Sequence, residues 1–230
     1  MARAPRTRLL LTCEHGGNRV PAAWAPLFRG ARRALDSHRG HDAGALAAAR
    51  HLRRALGAPL VHATVTRLLV DLNRSRGHPA LFSRWSARLA PAASERAVAR
   101  HWSPYRERVA GWIAAALGRG DRVLHVAVHS FTPVLDGVRR RADIGLLHDP
   151  GSATEARLCR EWQRALAQAG WHTRRNYPYR GTSDGQVVDL RRRFGTARYA
   201  GIELELNQAV LAGPRRGRLM RDLARTFPAP

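Results

Sequence analysis

In Leu9-Leu10-Leu11-Thr12-Cys13-Glu14-His15-Gly16-Gly17-Asn18-Arg19 an apolar run gives way at once to a glutamate, a histidine and a glycine pair. That is the pattern of a buried strand opening into a loop, and in α/β proteins ligands bind at the carboxyl ends of strands. Glycines there let backbone approach a ligand without steric cost. Imidazole and carboxylate side by side are the donor types of a zinc site.

Outward from this point the chain alternates strand-like and helix-like segments, which predicts an α/β fold with a largely parallel sheet. Leu9–Thr12 reads as the first strand, and Asp42–Leu56 as a helix closed by Gly57. Leu60–Val65 and Leu68–Leu72 read as two strands, and residues 79–91 are less regular. Glu95–Leu117 has helical periodicity, ended by Gly118 and kinked near Pro104. Arg122–Val128 is a strongly apolar strand with His129 and Ser130 at its exit, and Ile144–Leu147 is a short strand. Ser152-Ala153-Thr154-Glu155 has the capping-box form and opens a helix running to Gly170. Asn176–Gly185 is a loop by composition. In Tyr199–Leu206, Ile202, Leu204 and Leu206 alternate with Glu203 and Glu205, the period of a strand.

At 230 residues and 44% hydrophobic content the chain reads as a single domain over 1–230, with loose tails at 1–7 and 227–230. No apolar run approaches the roughly 20 residues that a bilayer span needs. The basic start leads into only a short apolar strand without a signal-peptide core, so a cytoplasmic protein with no membrane partner is expected. Cys13 and Cys159 are too few for a disulfide framework and read as packing. A formal charge of +23 invites a nucleic-acid reading, but every one of the 40 basic residues is arginine and they are widely spread. With no RNA-recognition motif, zinc knuckle or aromatic-interleaved basic stripe, no specific nucleic-acid partner is expected. Nothing in the sequence signals an oligomeric state.

Polar clusters stand at strand exits or on a strand face: Glu14 with His15, His129 with His125 before it, and Glu203 with Glu205. His38-Arg39-Gly40-His41-Asp42 lies just before a helix. A water-activating zinc takes three protein ligands, leaves one position open and needs a carboxylate nearby to accept a proton. Glu203 and Glu205, two apart, share one face of their strand, and burying both is costly unless a metal, an arginine or a proton offsets them. An edge strand with both in water is the bland alternative. His62, His78, His101, His125, His148 and His172 lack a second ligand-type residue in a suggestive setting, and His51 lies mid-helix. Arg19, Arg74 and Arg180 lie near loops and suit an anionic substrate. Asp71-Leu72-Asn73-Arg74 also reads as a turn in which Asp71 and Asn73 cap backbone amides. Walker, Rossmann, Gly-x-Ser-x-Gly and His-Glu-x-x-His motifs are absent.

Six stretches in order, Cys13–Pro21, His41–Gly44, Val70–Ser75, Val128–Phe131, Asn176–Gly181 and Gly201–Gln208, resemble the N-formylglutamate amidohydrolase family. The Cys-Glu-His-Gly-Gly form is closer to a divergent branch than to its histidine-degradation members. The resemblance implies a three-layer α/β/α fold around a mixed, mostly parallel sheet, similar to zinc exopeptidases and aspartoacylase-like deacylases. It implies zinc held by His15, Asp42 and His129, with Glu14 and His41 adjoining, and Glu205 or else Glu203 as general base. Arg19, Arg74 and Arg180, with Asn18 and Ser130 from the same motifs, would bind a small anionic N-acyl amino acid. The implied reaction is hydrolysis of N-formyl-L-glutamate to formate and glutamate. Another acyl amino acid, or a γ-glutamyl or peptidoglycan-derived amide, is the alternative.

Overall fold

The computed structural model describes residues 4–228. Within them, six strands form one mixed sheet in the order β2-β1-β3-β8-β6-β7. These are β1 (Thr7–Cys13), β2 (Leu60–His62), β3 (Arg122–Phe131), β6 (Ile144–Leu147), β7 (Thr173–Arg175) and β8 (Tyr199–Asn207). The β1, β2, β3 and β8 pairings are parallel, while β6 meets β8 antiparallel and β7 parallel. A two-stranded hairpin, β4 (Val134–Leu135) and β5 (Val138–Arg139), stands apart after β3.

Every residue of β8 is buried, as are all but the first of β3, so these are central strands covered on both faces. One face carries Leu11, Cys13, Leu124, Val126, Val128, Ile202 and Leu204 against α2 (Ala45–Leu56), α5 (Ala153–Gln168), α7 (Gln208–Ala212) and α8 (Arg216–Arg225). The other packs Leu10, Val123 and Tyr199 against α4 (Ser103–Gly118), α6 (Gln186–Phe194) and the long segment 65–90. Two short helices, α1 (Arg32–Leu35) and α3 (Pro91–Ala97), complete the set. The result is the expected three-layer α/β/α arrangement.

The helix signals work locally as chemistry predicts. Gly57, at φ 61°, takes the left-handed conformation that ends α2. The Ser152 hydroxyl accepts the Glu155 N–H at the start of α5. The reciprocal half of the capping box is missing: Glu155 instead accepts the Asp149 and Gly201 N–H groups and pairs with the buried Arg191. The helix read over 95–117 is α3 and α4 joined by a π-helical turn at Val98–Trp102, directly ahead of Pro104.

Several expectations are corrected. Leu68–Leu72 is not a strand; its apolar side chains are buried beneath turns tied by Thr66, whose hydroxyl donates to Gly40 and accepts the Leu68 N–H. The second strand stops at His62, after which Val65 keeps only a single bridge to Arg19. Strand β3 continues through His129 and Ser130 to Phe131. Of the tails, Thr7 already belongs to β1 and Phe227 packs edge-on against Trp162, their ring centres 5.0 Å apart. Residues 1–3 and 229–230 lie outside the described residues.

Candidate active site

Alternation along three adjacent parallel strands builds the site. Thr12 on β1 and Glu14 just past its end, His125 and His129 on β3, and Glu203 and Glu205 on β8 follow the same pleat, opposite the face that buries Leu11, Val126 and Leu204. The register sets His129 directly beside Glu205 and Ala127 beside Glu203. Because β8 is central, the edge-strand alternative for the two glutamates is overturned.

The chain leaves β1 through Glu14 and His15, both buried. Gly16 and Gly17 then press against the backbone of Ala63 and Thr64, where a Cβ on either would meet a carbonyl oxygen at 2.8 Å. The glycines thus serve close chain packing and not approach to a ligand. His15 O accepts the Asp42 N–H, and the Ser130 hydroxyl donates to Ala43 O, so the loop before α2 is laced to both strands. Asp42 thereby reaches the two histidines: its Oδ2 lies 2.8 Å from His129 Nδ1 and 3.4 Å from His15 Nδ1. One ligand atom from each of His15, Asp42 and His129 falls within 4.8 Å of the others, and all three residues are buried.

The electrostatics suit a cation. In a chain of formal charge +23, the carboxylates of Glu14, Asp42, Asp71, Glu203 and Glu205 are buried around this point, with Arg67 the cation among them. Burial alone would raise Asp42 and Asp71; the His15 and His129 imidazoles and the Arg67 guanidinium reverse this and hold both carboxyls below the ordinary range. Glu14 follows the same balance down to about 2, with His129 the main counterweight. Burial also opposes charge on the imidazoles, yet His129 is raised by Asp42 and Glu14, and His15 by Asp71 and Asp42. For Glu205 the balance falls the other way: burial, joined by Asp42 and Glu203, outweighs the His129 imidazole and Arg67 and pushes its carboxyl up to about 8. Burial and Glu14 likewise raise Glu203. His15 Nδ1 and Glu205 Oε2 are buried without a hydrogen-bond partner among the described residues. Unpartnered donor atoms in an acidic, buried cluster are what a divalent ion would satisfy.

Above the cluster opens a pocket of about 250 Å³, lined by His15, Asp42, His129, Glu203 and Glu205 at its base. Arg67, Arg74 and Arg180 make its walls cationic, with His38 beside them. Arg74 is anchored by donating to Asp184 O at 2.7 Å, whereas the Arg180 guanidinium makes no ion pair or hydrogen bond among the described residues. Ser130 lines the pocket, but its hydroxyl is engaged by Ala43 and Gln208. Asn18 and Arg19 do not line it. Asn18 donates to Leu35 O and Asp36, and Arg19 is carried along residues 64–66 to a separate cleft beside His101. Glu14 stands outside the ligand group, and His41 turns its Nδ1 to Leu35 O. His125 sits deeper on the same face, between the Thr12 and Tyr199 hydroxyls.

Asp71, Arg67, Tyr105 and Gln186 were not singled out for the site by sequence reasoning. Asp71 does cap Asn73 as the turn predicts, but it also bonds His15 Nε2 at 2.7 Å. Tyr105 and Gln186 both donate to Glu14 Oε1. Only the six-in-order motif set carried a hint of Asp71.

The sequence matches the N-formylglutamate amidohydrolase family over residues 7–212. The chain belongs to this family. It is therefore an amidohydrolase. Among solved structures it is similar to gene product Atu2144 from Agrobacterium tumefaciens, with 29% identity and a TM-score of 0.81 over 97% of this chain and 91% of that one. The N-formylglutamate amidohydrolase from Ralstonia eutropha JMP134 shares the fold at 20% identity, with a TM-score of 0.72 over 99% and 93% of the two chains. No curated protein matches the chain significantly. Among the described residues of this family member, no helix is long and apolar enough to cross a membrane.

Proposed function

We propose that this amidohydrolase cleaves the amide bond of a small anionic N-acyl amino acid with zinc held by His15, Asp42 and His129, and that N-formyl-L-glutamate is the substrate. The observation that carries the reading is the inversion of charge: a buried acidic cluster in a strongly basic chain, opening into a pocket walled by arginines. An ion bound at such a centre would polarise the acyl carbonyl and acidify a water.

The chain's own residues supply the rest. Glu205, beside His129 and facing the pocket, takes a proton from the attacking water and returns it to the leaving nitrogen as the C–N bond breaks. Water's oxygen ends on the acyl carbon, giving formate, and the amine leaves as glutamate. Glu203 lies one alternation deeper and keeps the floor acidic. Arg180, its guanidinium without a partner among the described residues, and Arg74, anchored on Asp184 O, hold the substrate carboxylates and fix the amide over Glu205. A pocket of about 250 Å³ suits a small metabolite, since drug-sized ligands fill roughly 300–1,000 Å³.

The test is formate release from N-formyl-L-glutamate by purified protein, before and after a chelator and with zinc restored. Formate equal to glutamate, lost on chelation and regained with zinc, is the expected result. Zinc-loaded protein that releases no formate but cleaves another N-acyl amino acid from a panel would replace the substrate and keep the chemistry.

A further inference from the structure

We propose that Glu14 and Asp71 are positioning residues, each holding the far nitrogen of one histidine so that His15 and His129 both present Nδ1 to the ion. The inference rests on the reading of His15, Asp42 and His129 as ligands.

Two rings repeat one geometry. His15 Nε2 lies 2.7 Å from Asp71 Oδ1, and its Nδ1 faces Asp42 Oδ2 at 3.4 Å. His129 Nδ1 lies 2.8 Å from the same Asp42 Oδ2, and its Nε2 faces Glu14 Oε2 at 3.2 Å. His129 Nε2 and Glu14 Oε2 are both buried, neither has an aligned hydrogen bond among the described residues, and the two face each other at 3.2 Å. In both rings Nδ1 points at the shared ligand, and Nε2 points at a carboxylate outside the ligand group. A carboxylate that accepts the Nε2–H fixes the tautomer whose Nδ1 lone pair is free for a metal.

Both carboxylates are themselves held. Asp71 Oδ2 accepts two N–H groups of Arg67, at 3.1 and 2.7 Å, while Oδ1 also accepts the Asn73 N–H. Glu14 Oε1 accepts from the Tyr105 hydroxyl of α4 at 3.0 Å and from Gln186 at the start of α6 at 2.9 Å. With Oε1 committed to two donors, Oε2 is the atom left for His129.

That commitment dictates what an amide would do. In Glu14→Gln the oxygen stays with Tyr105 and Gln186, so the NH2 group faces His129 Nε2. Two donors cannot face each other, so His129 must shed its Nε2 proton and carry one on Nδ1, where it blocks the ion. Loss of such a partner costs about 10- to 100-fold in metal affinity.

The test uses full-length protein labelled with 15N-histidine and loaded with zinc, read by long-range 1H–15N correlation. A zinc-bound Nδ1 and a protonated Nε2 in both rings are expected. Zinc competition against a chromophoric chelator should then show Glu14→Gln weakened 10- to 100-fold. Zinc on Nε2 of either ring, or wild-type affinity in Glu14→Gln, would overturn the inference while leaving the metal centre intact. Wild-type protein that binds no zinc would overturn the centre and this inference together. Should Glu14→Gln fail to fold, the wild-type spectrum alone decides.

Discussion

Glu205→Gln replaces a buried carboxyl by a neutral group of nearly the same size. In the metal-free protein Glu205 is 5% exposed, its Oε2 has no hydrogen-bond partner among the described residues, and burial with Asp42 and Glu203 lifts its pKa from 4.5 to about 8. A raised folded pKa means that stability is fully present below pH 4.5 and is lost as the pH rises through about 8. At 1.36 kcal/mol per pH unit, the cost of keeping the proton reaches roughly 3 kcal/mol at pH 7 and roughly 5 kcal/mol above pH 8. Glutamine carries none of this cost. With about 2–4 °C per kcal/mol for a domain of this length, chelated Glu205→Gln should melt roughly 6–12 °C above chelated wild type at pH 7. The two should converge near pH 4.5. Differential scanning calorimetry in chelator across this range reads the difference directly. The same variant, zinc-loaded, should lose about 10²- to 10⁴-fold in kcat as its general base disappears. Melting curves that stay parallel at every pH, or a variant that turns over normally, would refute the reasoning.

Other outcomes follow from the same geometry. Arg180→Leu should raise KM about 10- to 100-fold with kcat and Tm nearly unchanged, because the guanidinium lines the pocket and makes no ion pair or hydrogen bond among the described residues. Steady-state kinetics with a melting curve checks this, and a fall in kcat alone would place Arg180 elsewhere in the reaction. Burial holds His125 neutral, with its pKa down at about 4 from 6.5, so its contribution is present above pH 6.5 and lost as pH falls through about 4. That amounts to about 3 kcal/mol at most, and urea midpoints of wild type and His125→Gln should diverge on acidification; parallel midpoints would contradict it. Gly145→Ala would drive a Cβ into the Tyr177 carbonyl oxygen and displace the loop that carries Arg180. Reduced stability and a raised KM are expected together, and wild-type values for both would show that the loop yields freely.

What could be read in the sequence and what could not divides along physical lines. The period-2 placement of Glu203 and Glu205 is a backbone property, so it was legible, and their burial follows from β8 being central. The caps at Ser152 and Gly57 are equally local. Leu68–Leu72 misled because burial, not strand geometry, accounts for its apolar side chains. Helices α6, α7 and α8 went unread; α6 and α8 are arginine-rich on their outer faces, which dilutes the apolar signal. Asp71, Tyr105 and Gln186 owe their places to contacts across 56 to 172 residues of sequence, which no spacing encodes, and Arg67 enters the site with Asp71, its partner four residues on. Arg19 misled for the opposite reason: it adjoins the site in sequence, yet two glycine-permitted close contacts turn the chain away.

The claim that His15, Asp42 and His129 form the metal centre of this amidohydrolase is tested most directly by the zinc content of wild type and His129→Ala after dialysis, with circular dichroism confirming that both are folded. The account predicts about one zinc per wild-type chain and essentially none in the variant, with formate release lost in step. Full zinc occupancy in folded His129→Ala would contradict it.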